Sequence, residues 1–231
     1  VMMPATPYDA KGMLKTAIRD PDPVIFIESE ILFGAKGEVP EEEYLIPMGK
    51  GDIKREGSDC TIIAWSRMVH VAKEAAEILS AEGIEVEILD PRTLRPLDKD
   101  LIRQSVKKTN RCVVAEEGWY WASVGSTIAD FVSRDLFDWL DAPVINCTGK
   151  DVPMPNAANL EKLALETTKE VLDAVHAVTY REAVMKVDGM NDTRDAYVVR
   201  FTADGGEIAG CVPETILMNA LRLGRRPGHP E

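Results

Sequence analysis

The feature that most constrains this chain is a regular alternation of short apolar runs and longer amphipathic segments after residue 60. The run CTIIAW is rich in β-branched residues, and the following MVHVAKEAAEILSAEG places Met68, Ala72, Ala75 and Leu79 at helical spacing. Strands alternating with helices are typical of a mostly parallel sheet covered on both faces. The pattern therefore predicts an α/β fold with three layers, α/β/α. The predicted strands are 60–65, 84–90, 111–117 and 143–149, and the predicted helices are 68–83, 98–109, 122–134 and one long helix 159–178.

Charge and apolar content exclude several classes of function. The chain has 27 basic and 39 acidic residues, which gives a net charge of -12. Nucleic acids and anionic membranes both require clustered positive charge, so neither is expected as a partner. No apolar run approaches the roughly 20 residues that cross a bilayer. The four cysteines lack ligand-like spacing, which predicts buried, reduced thiols rather than a metal site or a disulfide.

The residues before and after the alternating region have a different pattern. Segment 9–20 predicts a helix and PVIFIE (23–28) a strand, although no earlier strand is available to pair with it. Residues 36–59 are rich in Gly, Pro and Glu and predict a linker. At the other end, residues 186–210 are compatible with one hairpin and 214–224 with a short helix.

The first candidate site is AIRDPDP, residues 17–23, where a helix ends and a strand begins. The last carbonyls of a helix have no intrahelical partner and lie at the negative end of its dipole, so a turn there can surround a cation. Asp20 and Asp22 add negative charge. The alternative is an ordinary helix end, in which Asp and Pro serve only the turn geometry.

The second candidate is AEEGWYWASVG, residues 115–125, which leads from a strand into a helix. Glu116 and Glu117 lie at the strand end, where α/β folds place functional loops, and three aromatic residues follow directly. Acid–base catalysis and a subunit interface both fit this pattern. The interface is favoured because no His or Lys lies nearby in the sequence. The glycines do not match G-x-G-x-x-G, so a nucleotide loop is rejected.

The third candidate combines the proline-rich loops DVPMP (151–155) and LDPRTLRPLD (89–98). Arg92 and Arg95 have the chemistry to hold a carboxylate or a phosphate. Pairing of these arginines with Asp90 or Asp98 is the simpler interpretation. The histidines have no partner at a recognisable catalytic spacing and are not assigned to catalysis.

Several blocks together resemble one enzyme family. AIRDPDPVIFIESEILFG, LIPMGK, IEVEILDPRTLRPLD, LDAPVINCTGKDVPMP and AANLEKLAL are similar to the beta subunit of the pyruvate dehydrogenase first component, over residues 1 to about 181. The pair GKDVPMP and AANLEKLAL favours the pyruvate enzymes over branched-chain, acetoin and transketolase relatives. The chain departs from the family at GWYW, where relatives read G-W-P-Q, and beyond Tyr180.

The resemblance implies a domain organisation. Residues 1–35 would be the end of a thiamine-diphosphate pyrimidine-binding domain, 36–59 a linker and 60–181 a transketolase-type C-terminal domain. Residues 182–231 would be a tail outside the family, whether disordered or folded. The family's cofactor-activating glutamate and active-site histidine lie upstream, so no catalytic or cofactor-binding residue is expected here.

The resemblance also implies cofactors and partners. The family uses thiamine diphosphate with Mg²⁺, held at the level of the complex. A structural K⁺ would be bound by the carbonyls of Ala17 and Ile18 with Asp20 and Asp22. The implied partners are an alpha subunit, a second beta subunit and the dihydrolipoamide acetyltransferase core, in a bacterial cytoplasm or a mitochondrial matrix. The implied activity is oxidative decarboxylation of pyruvate, with this piece inactive alone. A noncatalytic interaction module and a branched-chain or acetoin enzyme are the alternatives.

Overall fold

A five-stranded mixed sheet forms the centre of the first compact unit, residues 1–182. The computed structural model describes residues 1–180, 198–203 and 206–211. The strands are β1 (Asp52–Arg55), β2 (Cys60–Ala64), β3 (Val86–Asp90), β4 (Cys112–Trp119) and β5 (Ile145–Gly149), in the spatial order β1-β3-β2-β4-β5. Strands β3, β2, β4 and β5 run parallel, and β1 joins the edge antiparallel to β3. The predicted α/β fold with a mostly parallel sheet is confirmed.

Helices cover both faces of this sheet, as the three-layer prediction requires. The helices of this unit are α1 (Pro7–Arg19), α2 (Arg67–Ala81), α3 (Lys99–Thr109), α4 (Val124–Asp135), α5 (Ala158–Ala164) and α6 (Thr168–Thr179), with 3-10 turns at Glu30–Gly34 and Phe137–Trp139. Four of them, α2, α3, α4 and α6, pack on the sheet. One apolar core joins the sheet to α2 and α6, and a second joins it to α3 and α4. Every residue of β2 and β3 is buried because helices lie on both sides of these strands.

The predicted long helix 159–178 is wrong, because the structure has two helices there. Helix α5 ends at Ala164 and α6 begins at Thr168. Between them Thr167 caps α6. The Glu170 amide donates to the Thr167 side chain, and the Thr167 amide donates to the Glu170 carboxylate. This capping box starts a new helix. The sequence T-x-x-E at residues 167–170 is the signature of such a helix start.

The predicted strand 23–28 also needs correction. Phe26 forms a single parallel bridge to Met2, and Met2 bridges in turn to Thr93. A pairing partner therefore does precede the segment, although the pairing is too short to make a strand. The predicted linker 36–59 contains β1, which the sheet recruits as an edge strand.

The second compact unit comprises residues 183–231 and is described only through a hairpin. Strands β6 (Val198–Ala203) and β7 (Gly206–Cys211) pair antiparallel, so a hairpin is present where one was expected over 186–210, and it extends one residue further. The expected helix at 214–224 and the rest of the tail lie outside the described residues. Within the described ranges, no helix combines the length and the apolarity that spanning a bilayer requires.

Candidate functional site

The carboxyl end of β4 is where the sequence placed two glutamates, and the structure separates their roles. Glu116 is buried, and its Oε1 accepts hydrogen bonds from the Gly125 amide at 3.0 Å and the Asn146 side chain at 3.2 Å. Its carboxylate thus occupies the positive end of the α4 dipole. At this helix start the Gly125 amide serves Glu116 and the Ser126 amide serves the Ser123 side chain.

Glu117 has a partner that sequence reasoning missed. Arg67, the first residue of α2, donates from Nε to Glu117 Oε1 at 2.5 Å and from Nη2 to the Glu166 carbonyl at 3.2 Å. Arg67 precedes Glu117 by 50 residues, so no local spacing could reveal the pair. A guanidinium stays protonated at all physiological pH values, so it cannot exchange a proton with the glutamate. This arrangement favours a structural ion pair over acid–base chemistry.

The three aromatic residues that follow point to a contact surface. Trp119, Tyr120 and Trp121 are 53%, 56% and 68% exposed, and the rings of Tyr120 and Trp121 meet edge to face at 6.0 Å. We call these three residues the aromatic patch. Large exposed aromatic side chains in contact with one another are typical of surfaces that bind another protein.

A second exposed apolar surface begins beside the aromatic patch. Trp119 pairs with Gly149 in the sheet, so the loops after β4 and β5 leave the same edge. Every residue from 151 to 163 is exposed except Pro155, which is partly buried. A hydrogen bond from the Lys150 amide to the Ala164 carbonyl closes the base of this segment. Its exposed apolar side chains are Val152, Met154, Leu160 and Leu163. The predicted loop DVPMP therefore belongs to this surface.

Glu166 is a buried carboxyl below this segment. Burial, reinforced by the charge of Glu170, raises the pKa of Glu166 to about 7, although Lys150 and Arg67 act in the opposite direction. Its Oε1 has no hydrogen-bond partner within residues 1–180. Glu166 therefore changes charge near neutral pH, at the joint between α5 and α6.

The expected pairing of Arg92 with Asp90 or Asp98 needs correction. Its guanidinium binds Asp9 at 2.8 Å and Asp52 at 2.9 Å, whereas only its backbone amide binds Asp90. The expected side-chain pairing with Asp90 or Asp98 is therefore wrong for this residue. Because two carboxylates already engage Arg92, it does not offer a free clamp for an anion. Arg95 is exposed.

The candidate cation loop lies at the end of α1. The Asp20 amide donates to the Thr16 carbonyl at 3.1 Å, and the Asp22 amide donates to Asp20 Oδ1 at 3.0 Å. Pro21 has no amide hydrogen, so it cannot donate to the Ala17 carbonyl four residues earlier. The Asp22 amide lies four residues after Ile18 and could donate to its carbonyl in a helix, but it donates to Asp20 Oδ1 instead. The donor set of Ala17, Ile18, Asp20 and Asp22 thus offers carbonyl and carboxylate oxygens, and the K⁺ assignment stays a prediction.

Other side chains have structural roles. Cys60, Cys112 and Cys147 are free and buried, so the reduced-thiol prediction is confirmed for them; the Cys211 side chain lies outside the described residues. His70 contacts the Ala5 carbonyl at 2.7 Å. Across the described ranges, no group of three or more His, Cys, Asp or Glu side chains is arranged to hold a metal ion.

Comparisons with known proteins agree with this architecture. Residues 49–171 match the family model described as transketolase, C-terminal domain. A solved chain titled split gene transketolase, inactive beta4 tetramer, is similar with a TM-score of 0.62 and 30% identity, over 78% of this chain and 57% of that chain.

Curated relatives are more similar still. Pyruvate dehydrogenase E1 component subunit beta of Rhizobium meliloti is 53% identical, over 78% of this chain and 40% of its own length. The Rickettsia felis protein of the same name is 51% identical, over 78% and 55%. The mitochondrial subunit beta-1 of Oryza sativa is 47% identical, over 80% and 50%.

The chain spans about half the length of the curated relatives it matches. The family model, in contrast, covers more than half of this chain and includes the whole five-stranded sheet. The chain therefore belongs to the transketolase C-terminal domain family.

Proposed function

We propose that this chain is part of a beta subunit of the pyruvate dehydrogenase first component. In this role it serves the thiamine-dependent oxidative decarboxylation of pyruvate to acetyl-CoA through assembly, without supplying the chemistry itself. The observation that carries the proposal is the 47–53% identity to pyruvate dehydrogenase beta subunits over about four fifths of the chain. The names of these relatives do not favour a branched-chain or acetoin enzyme.

We expect thiamine diphosphate and Mg²⁺ to need residues beyond those of this chain. Within the described part of the chain no cluster of metal-ligating side chains is available, and Glu116 already occupies the start of α4. A magnesium-bound diphosphate needs carboxylate or carbonyl ligands and free donors for its phosphates. We therefore place the cofactor in the assembled complex, and not on this chain alone.

The aromatic patch and the exposed segment 151–163 are the surfaces that we assign to assembly. The partners would be an alpha subunit and a second beta subunit, which would exclude water from the exposed aromatic rings. The net charge of -12 suits docking of a basic partner, as expected for the subunit-binding region of the acetyltransferase core.

The loop at the end of α1 is our proposed K⁺ site. Ala17 and Ile18 would contribute carbonyls that lack the usual helical donors, and Asp20 and Asp22 would add charge. Carbonyl oxygens are suitable ligands for K⁺ because they replace its hydration shell. The ion would stiffen the turn between α1 and the segment that bridges to Met2.

We also propose a domain division and a compartment. Residues 1–35 would end a pyrimidine-binding domain, 36–59 would connect it, 60–181 would form the C-terminal domain and 182–231 a tail. Bacterial and mitochondrial relatives both occur. The location would accordingly be a bacterial cytoplasm or a mitochondrial matrix.

Co-expression tests this proposal. The full chain is produced with an alpha subunit from the same genome, and association is measured by size-exclusion chromatography and pyruvate decarboxylation with added thiamine diphosphate and Mg²⁺. We expect a complex without decarboxylation, whereas a complete beta subunit with the same alpha subunit is active. Decarboxylation by the chain with or without alpha would refute the claim that it lacks the chemistry, and failure to associate would refute the assembly role.

A further inference from the structure

A group of five charged side chains joins three parts of the first unit, and Asp52, at 39%, is the most exposed of them. Asp9 comes from α1, Asp52 and Lys54 from β1, and Asp90 and Arg92 from the end of β3 and the loop after it. We call these five residues the charge cluster. Asp9 and Asp90 are fully buried, and the Lys54 and Arg92 side chains are only 8% and 12% exposed. Because the members come from separate elements, they fasten α1 to the edge of the sheet.

Asp9 is the well-satisfied member of the charge cluster. Lys54 Nζ lies 2.6 Å from its Oδ2, Arg92 Nε lies 2.8 Å from its Oδ1, and the Thr6 hydroxyl donates to it at 2.6 Å. Burial raises the pKa of Asp9, but these hydrogen bonds outweigh burial and hold the pKa below its ordinary value. Asp9 therefore stays ionised at neutral pH, and both cations are directed towards it.

Asp90 is the poorly satisfied member. Its Oδ1 accepts the Arg92 amide at 2.8 Å, but its Oδ2 has no hydrogen-bond partner within residues 1–180. Lys54 Nζ is 3.8 Å from Oδ2, beyond hydrogen-bond distance. Lys54 and Asp52 from β1, Arg92 from the loop after β3, and Asp9 from α1 are the charged groups that face Asp90.

The charge balance depends on Asp90. With Asp90 neutral, the cluster contains two carboxylates and two cations and has no net charge. With Asp90 ionised, a third carboxylate remains buried without a cation of its own, which is costly in a poorly hydrated site. Because Asp90 is fully buried, water reaches this carboxylate only when the elements packed around it separate.

We propose that the charge cluster is a proton-operated clamp, which holds α1 against the sheet when Asp90 is protonated and weakens when Asp90 ionises. The pKa of Asp90 supports this geometry, since burial raises it to about 7 against the lowering effect of Lys54. In an opened state the carboxyl is hydrated and has its ordinary value of 3.8. Opening therefore releases a proton between about pH 4 and pH 7, and the clamp loses stability as the pH rises through that window.

Hydrogen exchange on the full chain tests the clamp. The protection factors of α1 amides are measured from pH 5 to pH 8, with α4 as an internal reference, because protection factors remove the intrinsic pH dependence of exchange. One released proton predicts that α1 protection falls about tenfold between pH 5 and pH 6 and levels off above pH 7. A flat profile for α1 relative to α4 would overturn the proposal.

Asp90→Asn provides the matched variant, because the amide imitates the neutral acid in shape. We expect its α1 protection to be independent of pH, whereas Asp100→Asn, at an acid that is 79% exposed on α3, should retain the wild-type slope. A slope that persists in Asp90→Asn would also overturn the proposal. Should that variant fail to fold, Lys54→Met decides instead. Loss of the nearest cation should extend the fall in α1 protection to higher pH. An unchanged midpoint of that fall would refute the clamp.

Discussion

Gly125→Ala distinguishes local helix preference from the packing of Glu116, because the two predict changes of opposite sign in the free energy of unfolding. Gly125 is the second residue of α4, where alanine is favoured over glycine by about 1 kcal/mol. A Cβ at this position would overlap Glu116 Oε1 and would lie 2.6 Å from Asn146 Oδ1 and 2.8 Å from Glu116 Cδ. These neighbours must move for the methyl group to fit.

The expected loss of stability in Gly125→Ala has two parts. Overpacking a tight interior costs about 1–3 kcal/mol. Displacing the Glu116 carboxylate also weakens the hydrogen bond from the Gly125 amide, and a hydrogen bond to a charged group is worth about 1.5–3 kcal/mol. After the helix preference is subtracted, Gly125→Ala should lower the free energy of unfolding by about 3 kcal/mol.

Urea denaturation of the full chain, followed by circular dichroism, measures this change. Gly34→Ala is the control because nothing lies within 4 Å of its added methyl group, so its stability should change by less than about 0.5 kcal/mol. The double variant Glu116→Ala, Gly125→Ala should lose less than the sum of the two single changes, since the obstructing carboxylate is gone. If Gly125→Ala alone stabilises the chain, the packing argument for Glu116 is wrong.

The remaining predictions concern the surface, the ion and a second carboxyl. Trp121→Ala should leave thermal stability within about 0.5 kcal/mol but weaken binding to an alpha subunit by tenfold or more, as titration calorimetry can measure; unchanged affinity would exclude the aromatic patch from that interface. KCl should raise the melting temperature above that in NaCl at equal ionic strength, and Asp20→Ala should remove the difference; equal melting in both salts contradicts the K⁺ site. Because the pKa of Glu166 is raised to about 7, its contribution is present below pH 4.5 and is lost as the pH rises towards 7. Glu166→Gln should reduce the slope of unfolding free energy in that window by at most about 1.4 kcal/mol per pH unit, and an unaltered slope would show that Glu166 does not titrate there.

Much of the fold follows from local patterns. The mostly apolar runs around Ile62, Ile88 and Val114 predict parallel strands because a strand covered on both faces is rich in apolar residues. Helix α2 buries Met68, Ala72, Ala75 and Leu79 in the predicted register. The division between α5 and α6 is also encoded locally, by the Thr167–Glu170 capping box, although the apolar periodicity continues across it and predicts one helix.

The candidate sites were only partly predictable. The order of residues at the end of β4 places glutamates and aromatic residues at a functional edge, but it does not say which side chains become buried. Glu116 turns inward to α4, whereas Trp121 is 68% exposed, although both come from the same short stretch. The strand ends between them, and the periodicity that predicts burial ends with it.

The sequence by itself determined the layered α/β fold, the helix faces and the family, because these depend on periodicity and on motifs of adjacent residues. Tertiary structure decided which charged side chains form ion pairs with one another. Arg67 meets Glu117 across 50 residues and Arg92 meets Asp9 across 83, and β1 joins the sheet from a stretch with the composition of a linker. Such contacts arise only when distant elements pack, since the energy of an ion pair depends on distance and burial and not on separation along the chain.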